Sequence, residues 1–339
     1  MKPKASPPLA ITMGDASGVG PEIVLRRFAD GLLDEATVVY GDASILDAGA
    51  DLLGLGLRSH LIAHPSGLRS GKLNVVDLGR LDATDLTPGR LNTRAGAAAR
   101  DYVEAAARDA LSGRVAGIVT MPMNKYATRE SDPDFVGHTE LIAALCGVRD
   151  HCPMLATRDV AVTHVSTHVP LSEAIRSVTR PRVRSVIELT HRTLSRFLPR
   201  PRIAVCGLNP HASENGLFGT EESEIISPAI EAARRDGIDA SGPHPADTVF
   251  YQAIHRDRFD AIVCMYHDQG HGPMKLASFE SAVNVTIGLP IVRTSVDHGT
   301  AFDIAWQGEA FTESLGHALD YAWKLVGAGA GVDQVATEA

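Results

Sequence analysis

The sequence is short of three features, and each shortage excludes a class of protein. Its four cysteines contain no C-x-x-C pair, so we expect reduced thiols in a cytoplasmic protein rather than a disulfide framework. It has no excess of basic residues, and its net charge of −9 argues against a general binder of nucleic acids or membrane surfaces. No apolar run approaches the length of a membrane span, and Pro7 and Pro8 stand where a signal peptide needs an apolar stretch.

What the sequence does contain is the pattern of an α/β protein. Short apolar runs, typical of buried parallel strands, alternate with longer segments of helical spacing. The predicted strands are Leu9–Met13, Thr37–Tyr40, Leu73–Val76, Gly117–Thr120, Ile203–Cys206 and Ala261–Met265. The predicted helices are Pro21–Ala29, Thr93–Leu111, His138–Leu145, Pro181–Phe197, Glu221–Asp236 and Ser314–Leu325, with Thr93 and Ser314 as N-caps. This alternation predicts a substantially parallel sheet.

The chain also has the length and pattern of a two-lobed protein. At 339 residues it exceeds the usual size of a single hydrophobic core. Between Met154 and Val169, β-branched residues alternate over short stretches. This pattern predicts strands that do not follow the strand–helix alternation of the parallel sheet. We expect these strands to belong to a second lobe, joined to the first by strands or short loops because no Gly/Ser-rich tether is present.

A glycine-rich segment, Gly14–Glu22, lies between a predicted strand and a predicted helix. This is the right place for an anion bound at a helix N-terminus. However, the spacing is neither G-x-G-x-x-G nor a Walker A loop, and the segment has no lysine to reach a phosphate. Taken alone, the segment is better explained as a tight strand-to-helix turn.

Several histidines follow apolar runs. A single histidine in such a place is more often a hydrogen-bonded structural residue, but loops at the carboxyl ends of parallel strands converge. His168, His211 and His267 are therefore candidate ligands of one divalent ion. Further candidates in the same segments are His164, His271 and the carboxylates Asp247 and Asp268. His267 and His271 have the spacing of a zinc-protease motif, but Gly270, Gly272 and Pro273 are expected to break the helix that this motif needs.

A second set of polar residues suits an anionic substrate. The set comprises Lys275, Asn284 and Arg293, of which the lysine and the arginine are expected near the same strand ends as the histidines, together with His138 and Thr139 of the short motif GHTE. Charged donors of this kind bind carboxylate or phosphate with defined geometry. For each residue alone, ordinary surface charge is the better explanation, and only the proximity of these residues to the histidines favours a substrate site. Lys125, just after a strand, is a weaker case of the same kind.

These segments together resemble the 4-hydroxythreonine-4-phosphate dehydrogenase (PdxA) family. The motifs, in chain order, are TMGDASGVGPEI, GHTE, THVPL, GLNPHASENG, GPHPADT, MYHDQGH and NVTIGLPIVRTSVDHGTAFDIA. The resemblance implies an NAD-dependent oxidoreductase that requires one divalent ion (Zn, Mg, Mn or Co) and oxidises a secondary alcohol to a β-keto acid, which then loses carbon dioxide. It also implies the isocitrate and isopropylmalate dehydrogenase type of α/β fold. In that fold the active site lies in the cleft between two lobes and is shared across a homodimer.

The resemblance also implies a role for individual residues. It places the metal ligands at His168, His211 and His267, and the substrate-binding residues at His138, Thr139, Lys275, Asn284 and Arg293. The loop HGTAFDIA is similar to the adenosine-side loop of such enzymes, which assigns the cofactor to His298, Gly299, Thr300 and Asp303. Asp247 or Lys275 is the candidate catalytic base. The expected first lobe comprises residues 1–125 with about 295–339, and the second, with the metal ligands and dimer contacts, about 126–294.

Some residues depart from the family pattern. Ala16 and Ser17 replace the usual Pro-Ala pair, and Trp306 with Gln307 replaces a small and a basic residue. HDQGHGP resembles the branch that acts on D-threonate or D-erythronate 4-phosphate, and we expect His271 to favour a substrate hydroxyl over an ammonium group. The alternative substrate is 4-phosphohydroxy-L-threonine, used in pyridoxal 5'-phosphate synthesis. More remote alternatives are a metal-dependent hydrolase and a phosphometabolite-binding protein without activity.

Overall fold

The computed structural model describes residues 6–278 and 280–329. These residues contain the strands β1 Leu9–Thr12, β2 Thr37–Gly41, β3 Ser59–Leu61, β4 Leu73–Asp77, β5 Gly117–Thr120, β6 Cys152–Ala156, β7 Ala161–His164, β8 Ile203–Cys206, β9 Ala240–His244, β10 Ala261–Cys264, β11 Val283–Ile287 and β12 Val292–Val296. The helices are α1 Val19–Ala29, α2 Ala43–Leu52, α3 Thr93–Leu111, α4 Lys125–Arg129, α5 His138–Leu145, α6 Leu171–Ser177, α7 Arg180–Leu194, α8 Ser227–Arg235, α9 Ala246–Arg256, α10 His267–Ser278 and α11 Glu313–Gly329.

The chain divides into two compact units. The first extends to Arg149 and resumes over Leu289–Val326, and the second is formed by Asp150–Gly288. Residues 126–149 and 289–294, which were expected in the second lobe, therefore cluster with the first unit.

In the first unit the strands lie in the order β3, β4, β2, β1, β5 and β12, and all neighbours are parallel. The central strands β1 and β5 are buried along their whole length, as expected for strands covered on both faces. Because the strands are parallel, the loops after β1, β5 and β12 emerge at the same edge of the sheet. These loops carry the glycine-rich turn and the four predicted cofactor residues.

In the second unit the order is β11, β6, β7, β10, β8 and β9. β6 is antiparallel to both β11 and β7, whereas β7, β10, β8 and β9 are mutually parallel. The prediction that strands between residues 154 and 169 depart from the parallel pattern is confirmed for β6, whereas β7 is antiparallel to β6 but parallel to β10. The histidines after β7, β8 and β10 lie at the carboxyl ends of three parallel strands.

The predicted strands and helices are all present, but two predicted N-caps are wrong. Asn92, not Thr93, caps α3, because its side-chain oxygen accepts from the backbone N–H groups of Arg94 and Ala95. Ser314 lies inside α11, and its hydroxyl is instead 3.0 Å from His298 Nε2.

The expected break at Gly270, Gly272 and Pro273 is also wrong, since α10 continues through all three residues. Gly270 is buried against the sheet: a Cβ there would lie 2.4 Å from His164 Nε2 and 2.6 Å from Val162 Cγ1. Tertiary packing of the helix on β7 and β10 thus outweighs the weak helix propensity of these residues. His267 and His271 consequently lie on one face of α10.

Two further expectations concern the whole chain. Each of the four cysteines has a free thiol, in agreement with the prediction of reduced cysteines. Among the helices described, none combines the length and the apolar character needed to cross a membrane.

Candidate functional site

In the first unit, Arg293 is a buried cation at the edge where β5 ends. Its side chain is 6% exposed, and its Nη2 donates to Thr120 Oγ1 at 2.8 Å. Burial lowers the pKa of Arg293 to about 10, and the negative charge of Glu140 opposes this shift. Arg293 remains charged at neutral pH, and a buried cation of this kind stabilises a bound anion.

His138, the first residue of α5, lies close to Arg293. Burial is the main cause that lowers the pKa of His138 to about 3, and the positive charges of Arg293 and Lys125 contribute, so the ring is neutral. One ring nitrogen is hydrogen-bonded to the Met121 carbonyl, whereas Nε2 is buried without a hydrogen-bond partner. A carbonyl can only accept, so the proton lies on the bonded nitrogen and Nε2 presents a lone pair. A buried lone pair of this kind fits a ligand that donates a hydrogen.

Thr139 follows His138 in the first turn of α5. Gly137 is the N-cap of this helix and provides no side-chain cap. The structure therefore brings together three of the predicted substrate residues, His138, Thr139 and Arg293, within the first unit. Thr120, which the sequence analysis did not select, joins them through the hydroxyl that accepts from Arg293.

The predicted cofactor loop contacts the glycine-rich turn. The Thr300 carbonyl accepts from Val19 N at 3.0 Å, and a Cβ at Gly18 would lie 2.9 Å from the same oxygen. His298 is held by Ser314, and Asp303 is exposed, with its carbonyl accepting from Gln307 Nε2. Close packing therefore explains Gly18, which supports the structural interpretation of the turn.

Trp306 fixes the same loop from its far end. Its indole is buried, Nε1 donates to the Ala16 carbonyl at 2.8 Å, and its backbone has the left-handed φ of 64°. The ring lies over Gly49 of α2, where a Cβ would lie 2.1 Å from it. A non-glycine residue in this conformation is strained, and the packing and hydrogen bond of the indole compensate for the strain.

In the second unit, four histidines form a cluster, which we call the histidine cluster: His164, His168, His267 and His271. The rings of His267 and His271 are stacked, with centroids 4.0 Å apart and planes 5° apart. The centroid of His168 is 5.6 Å from that of His267. His164 is buried, and burial followed by the neighbouring imidazoles of His271 and His267 lowers its pKa to about 3. His164 was a further candidate from the sequence but not one of the three predicted ligands, and its Nε2 lies 3.1 Å from Nδ1 of His271.

The donor chemistry of this cluster fits a divalent ion. His267 Nδ1 is 2.7 Å from Asp268 Oδ1, and a carboxylate in this position orients a ligating imidazole. Neutral imidazoles bind zinc, cobalt and related ions. In the described part of the chain, no three His, Cys, Asp or Glu side chains are already arranged to hold a metal. The structure thus brings together His168 and His267, two of the three predicted ligands.

The third predicted ligand, His211, lies in an unusual turn after β8. Residues 211–215 all have positive φ, including 55° at His211, and this conformation is costly for residues other than glycine. The buried carboxylate of Glu222 supports the turn by accepting from Leu208 N and Asn209 N, both at 2.7 Å. The exposed ring of His211 lies 6.3 Å from that of Phe218.

The remaining predicted residues lie on three other elements of the second unit. Lys275 is a half-buried residue of α10, two turns beyond His267, and Asn284 is a half-buried residue of β11 opposite Leu155. Asp247 is exposed in the first turn of α9, a helix that packs against the turn carrying His211.

Comparison with known proteins shows similarity along most of the chain. The family model described as "Pyridoxal phosphate biosynthetic protein PdxA" matches residues 34–322. D-threonate 4-phosphate dehydrogenase of Cupriavidus necator is 46% identical over 319 residues, covering 92% of this chain and 95% of that protein. 4-Hydroxythreonine-4-phosphate dehydrogenase of Desulforapulum autotrophicum is 43% identical over 326 residues, covering 93% of this chain and 94% of that protein.

A solved structure is similar over the same extent. The crystal structure of 4-hydroxythreonine-4-phosphate dehydrogenase from Klebsiella pneumoniae has a TM-score of 0.85 and 42% identity, covering 95% of this chain and 100% of that one. The predicted α/β fold class is thereby confirmed.

Proposed function

Since the chain belongs to the PdxA family of dehydrogenases, an oxidoreductase family, we propose that it oxidises D-threonate 4-phosphate or D-erythronate 4-phosphate. NAD accepts the hydride, and the resulting β-keto acid loses carbon dioxide. The observation that carries this proposal is the buried Arg293 beside the unpartnered Nε2 of neutral His138. Together they match a substrate with an anionic group next to a hydroxyl. The free thiols support a cytoplasmic location.

The first-unit residues bind the substrate. Arg293 and the backbone N–H groups at the start of α5, near Thr139, stabilise an anionic end, because a buried cation and the positive end of a helix both favour negative charge. His138 accepts a hydrogen bond from a substrate hydroxyl through Nε2. Lys275 and Asn284, which belong to the second unit, are the other two proposed substrate-binding residues. Such anchors fix the orientation of the carbon that loses hydride.

The second-unit residues hold the divalent ion. His168, His211 and His267 are the proposed ligands, and Asp268 orients His267. When bound, a divalent ion polarises the alcohol oxygen and stabilises negative charge on oxygen during decarboxylation. Asp247 or Lys275 takes the proton of the alcohol. The loop with His298, Gly299, Thr300 and Asp303 binds the adenosine side of NAD, and its anchors at Thr300 and Trp306 hold it in place before the cofactor binds.

A second candidate substrate is 4-phosphohydroxy-L-threonine, because relatives named for either activity have similar identity to this chain. The two kinds of substrate differ in the group beside the carboxylate, which is a hydroxyl in one and an ammonium in the other. The segment HGP, which follows HDQG and begins with His271, supports the hydroxy acids. A metal-dependent hydrolase and a binding protein without activity remain alternatives that the same assay separates.

The test is NADH formation by the purified protein with each of the three phosphorylated acids, at one concentration of Mn²⁺ and of NAD. We expect kcat/KM to be highest for one of the hydroxy acids. A clear preference for the amino acid would reject the substrate but not the family. Product release without NAD reduction would indicate a hydrolase, and binding without turnover would indicate a binding protein.

Arg293→Ala tests the substrate site directly. We expect kcat/KM to fall by about 100-fold or more, because a buried charge-assisted interaction with an anion is lost. Arg158→Ala is the matched control, since Arg158 is an exposed arginine, and we expect it to leave kcat/KM unchanged. Equal activity of the two variants would contradict the assignment of Arg293.

A further inference from the structure

Lys125 is a charged residue that the proposed substrate site does not yet use. It is the first residue of α4, the short helix that follows β5, and its side chain is exposed. A Cβ at Gly137, the N-cap of α5, would lie 3.6 Å from Lys125 Nζ. The ammonium group therefore lies beside the start of α5, where the proposed site binds an anionic end of the substrate. Lys125 also lines an open cleft of about 450 Å³ next to residues 133–136, so a small anion can reach it.

Three positive groups lie near His138. Burial is the main cause of the low pKa of His138, and the positive charges of Arg293 and Lys125 lower it further, so both cations are close enough to act on one ring. The third group is the N-terminal end of α5, which carries a partial positive charge, and Gly137 provides no side-chain cap there. Glu140, in the first turn of the helix, contributes one negative charge against these. Like charges held together lower the stability of the folded protein, and a bound anion would remove this effect.

The loop that carries Lys125 is held in place by several contacts. The backbone N–H of Asn124 donates to the buried carboxyl group of Asp15, and the side chain of Asn124 caps α4 by accepting from Ala127 N at 3.0 Å. The helix α3 packs closely on α4, since a Cβ at Gly96 would lie 2.4 Å from the carbonyl carbon of Ala127. The backbone of Lys125 is therefore fixed, and only its flexible side chain is left to adjust to a ligand.

We propose that Lys125 is a further substrate-binding residue, and that the end of the substrate bound in the first unit is its phosphate group. The inference rests on the proposed function and deepens it by assigning the position of the phosphate. A phosphate group has three acceptor oxygens and a charge of about −1.5 to −2 at neutral pH. It can therefore accept from a lysine, an arginine and the N–H groups of a helix start at the same time. A carboxylate, with two oxygens and one negative charge, matches these three kinds of donor less well.

The experiment compares ligands with and without a phosphate group in variants of Lys125. Lys125→Met keeps the length of the side chain and removes its charge, whereas Lys125→Arg keeps the charge. Lys72→Met is the matched control, because Lys72 is an exposed lysine of the same unit. Calorimetry on the full-length protein without NAD measures the binding of D-erythronate 4-phosphate, inorganic phosphate and D-erythronate. KM and kcat for D-erythronate 4-phosphate, and KM for NAD, are then measured with Mn²⁺ present.

We expect Lys125→Met to weaken the binding of D-erythronate 4-phosphate by about 10- to 100-fold, which is the effect of losing one charge-assisted hydrogen bond. The binding of inorganic phosphate should weaken in the same way, and the binding of D-erythronate should stay unchanged. In turnover, KM for the phosphorylated acid should rise more than kcat falls. Lys125→Arg should keep most of the affinity, Lys72→Met should match the wild type, and circular dichroism checks the fold of each variant.

Three results would overturn the inference. Unchanged binding of both phosphate-bearing ligands to Lys125→Met would exclude a contact with phosphate. Equal losses for D-erythronate and its 4-phosphate would assign Lys125 to the carboxylate end, and a rise confined to KM for NAD would assign it to the cofactor. Arg293→Ala separates these failures from failure of the proposed function. If Arg293→Ala also keeps full affinity for D-erythronate 4-phosphate, the proposed substrate site itself is wrong. If only Arg293→Ala loses that affinity, Lys125 alone is excluded.

Discussion

The carboxyl group of Asp15, in the glycine-rich turn, is completely buried. One oxygen accepts from Ser17 N at 2.9 Å, and the other is buried without a hydrogen-bond partner. Burial raises the pKa of Asp15 to about 6, against the opposing effect of backbone hydrogen bonds from Ser17 and Asn124. The glycine-rich sequence shows that Asp15 is present but does not predict that its carboxyl group is buried. The burial depends on the loop after β5, which packs against the turn and whose Pro122 carbonyl accepts from Asp15 N.

The raised pKa makes the stability of the protein depend on pH. A carboxyl group with a raised pKa favours the folded state below its unfolded value of 3.8, and this contribution is lost as the pH rises through about 6. Asp15→Asn should therefore raise the free energy of unfolding by about 1–3 kcal/mol near pH 8 and by less near pH 5. Thermal unfolding at the two pH values measures the difference. The exposed Asp159→Asn is the control, and an equal effect of Asp15→Asn at both pH values would contradict the explanation.

At the scale of elements, α10 shows what packing adds to helix propensity. An alanine in place of a helical glycine usually stabilises a helix by about 1 kcal/mol. At Gly270 the added Cβ would overlap His164 and Val162, whereas at Gly272 it would have no neighbour within 4 Å. The two glycines have the same propensity and differ only in their surroundings.

We therefore expect opposite effects from two substitutions in one helix. Gly270→Ala should lower the midpoint of thermal unfolding and disturb the hydrogen bond between His164 and His271, because the helix must move away from β7. Gly272→Ala should leave the midpoint unchanged or raise it slightly. Thermal unfolding of both variants gives the comparison. If Gly270→Ala is as stable as Gly272→Ala, close packing of α10 is not the reason for this glycine.

The elements also show how far the sequence predicts the structure. Buried parallel strands are continuous apolar runs, so β1, β5, β8 and β10 could be located from their residues alone. The helix α10 could not, because its close contact at Gly270 is with β7, which is distant in sequence. For the same reason, the histidines were identified as candidates but the link from His164 to His271 was missed. The left-handed turn at His211 is supported by the carboxylate of Glu222, eleven residues further along the chain. The local sequence pattern around His211 therefore could not predict this turn.

For the whole molecule, the exposed apolar side chains of the second unit support a homodimer. Val169, Leu171 and Ile175 are 42%, 61% and 47% exposed, and Leu171 and Ile175 lie one turn apart on α6. Adjacent apolar residues on a surface commonly mark an interface between proteins, and dimers with twofold symmetry are the commonest assembly. We expect light scattering to give twice the chain mass of 36.0 kDa. The double variant Leu171→Glu/Ile175→Glu should shift the measured mass towards that of a single chain. The control Arg158→Glu, at an exposed arginine, should leave the mass unchanged.

Subunit mixing tests whether the active sites are shared in that dimer. His168 and His267 lie together in one chain, so variants of these two residues would both damage the same site and could not complement each other. His211 lies on a separate strained turn, and a shared site would take His211 from one subunit and His267 from the other. Inactive His211→Ala and His267→Ala proteins, unfolded together and reassembled in equal amounts, should then recover roughly a quarter of the wild-type activity, because half of the dimers are mixed and each mixed dimer has one intact site. Reassembly of each variant alone is the control and should stay inactive. If dimers form but the mixture also stays inactive, each site takes His211 and His267 from the same chain.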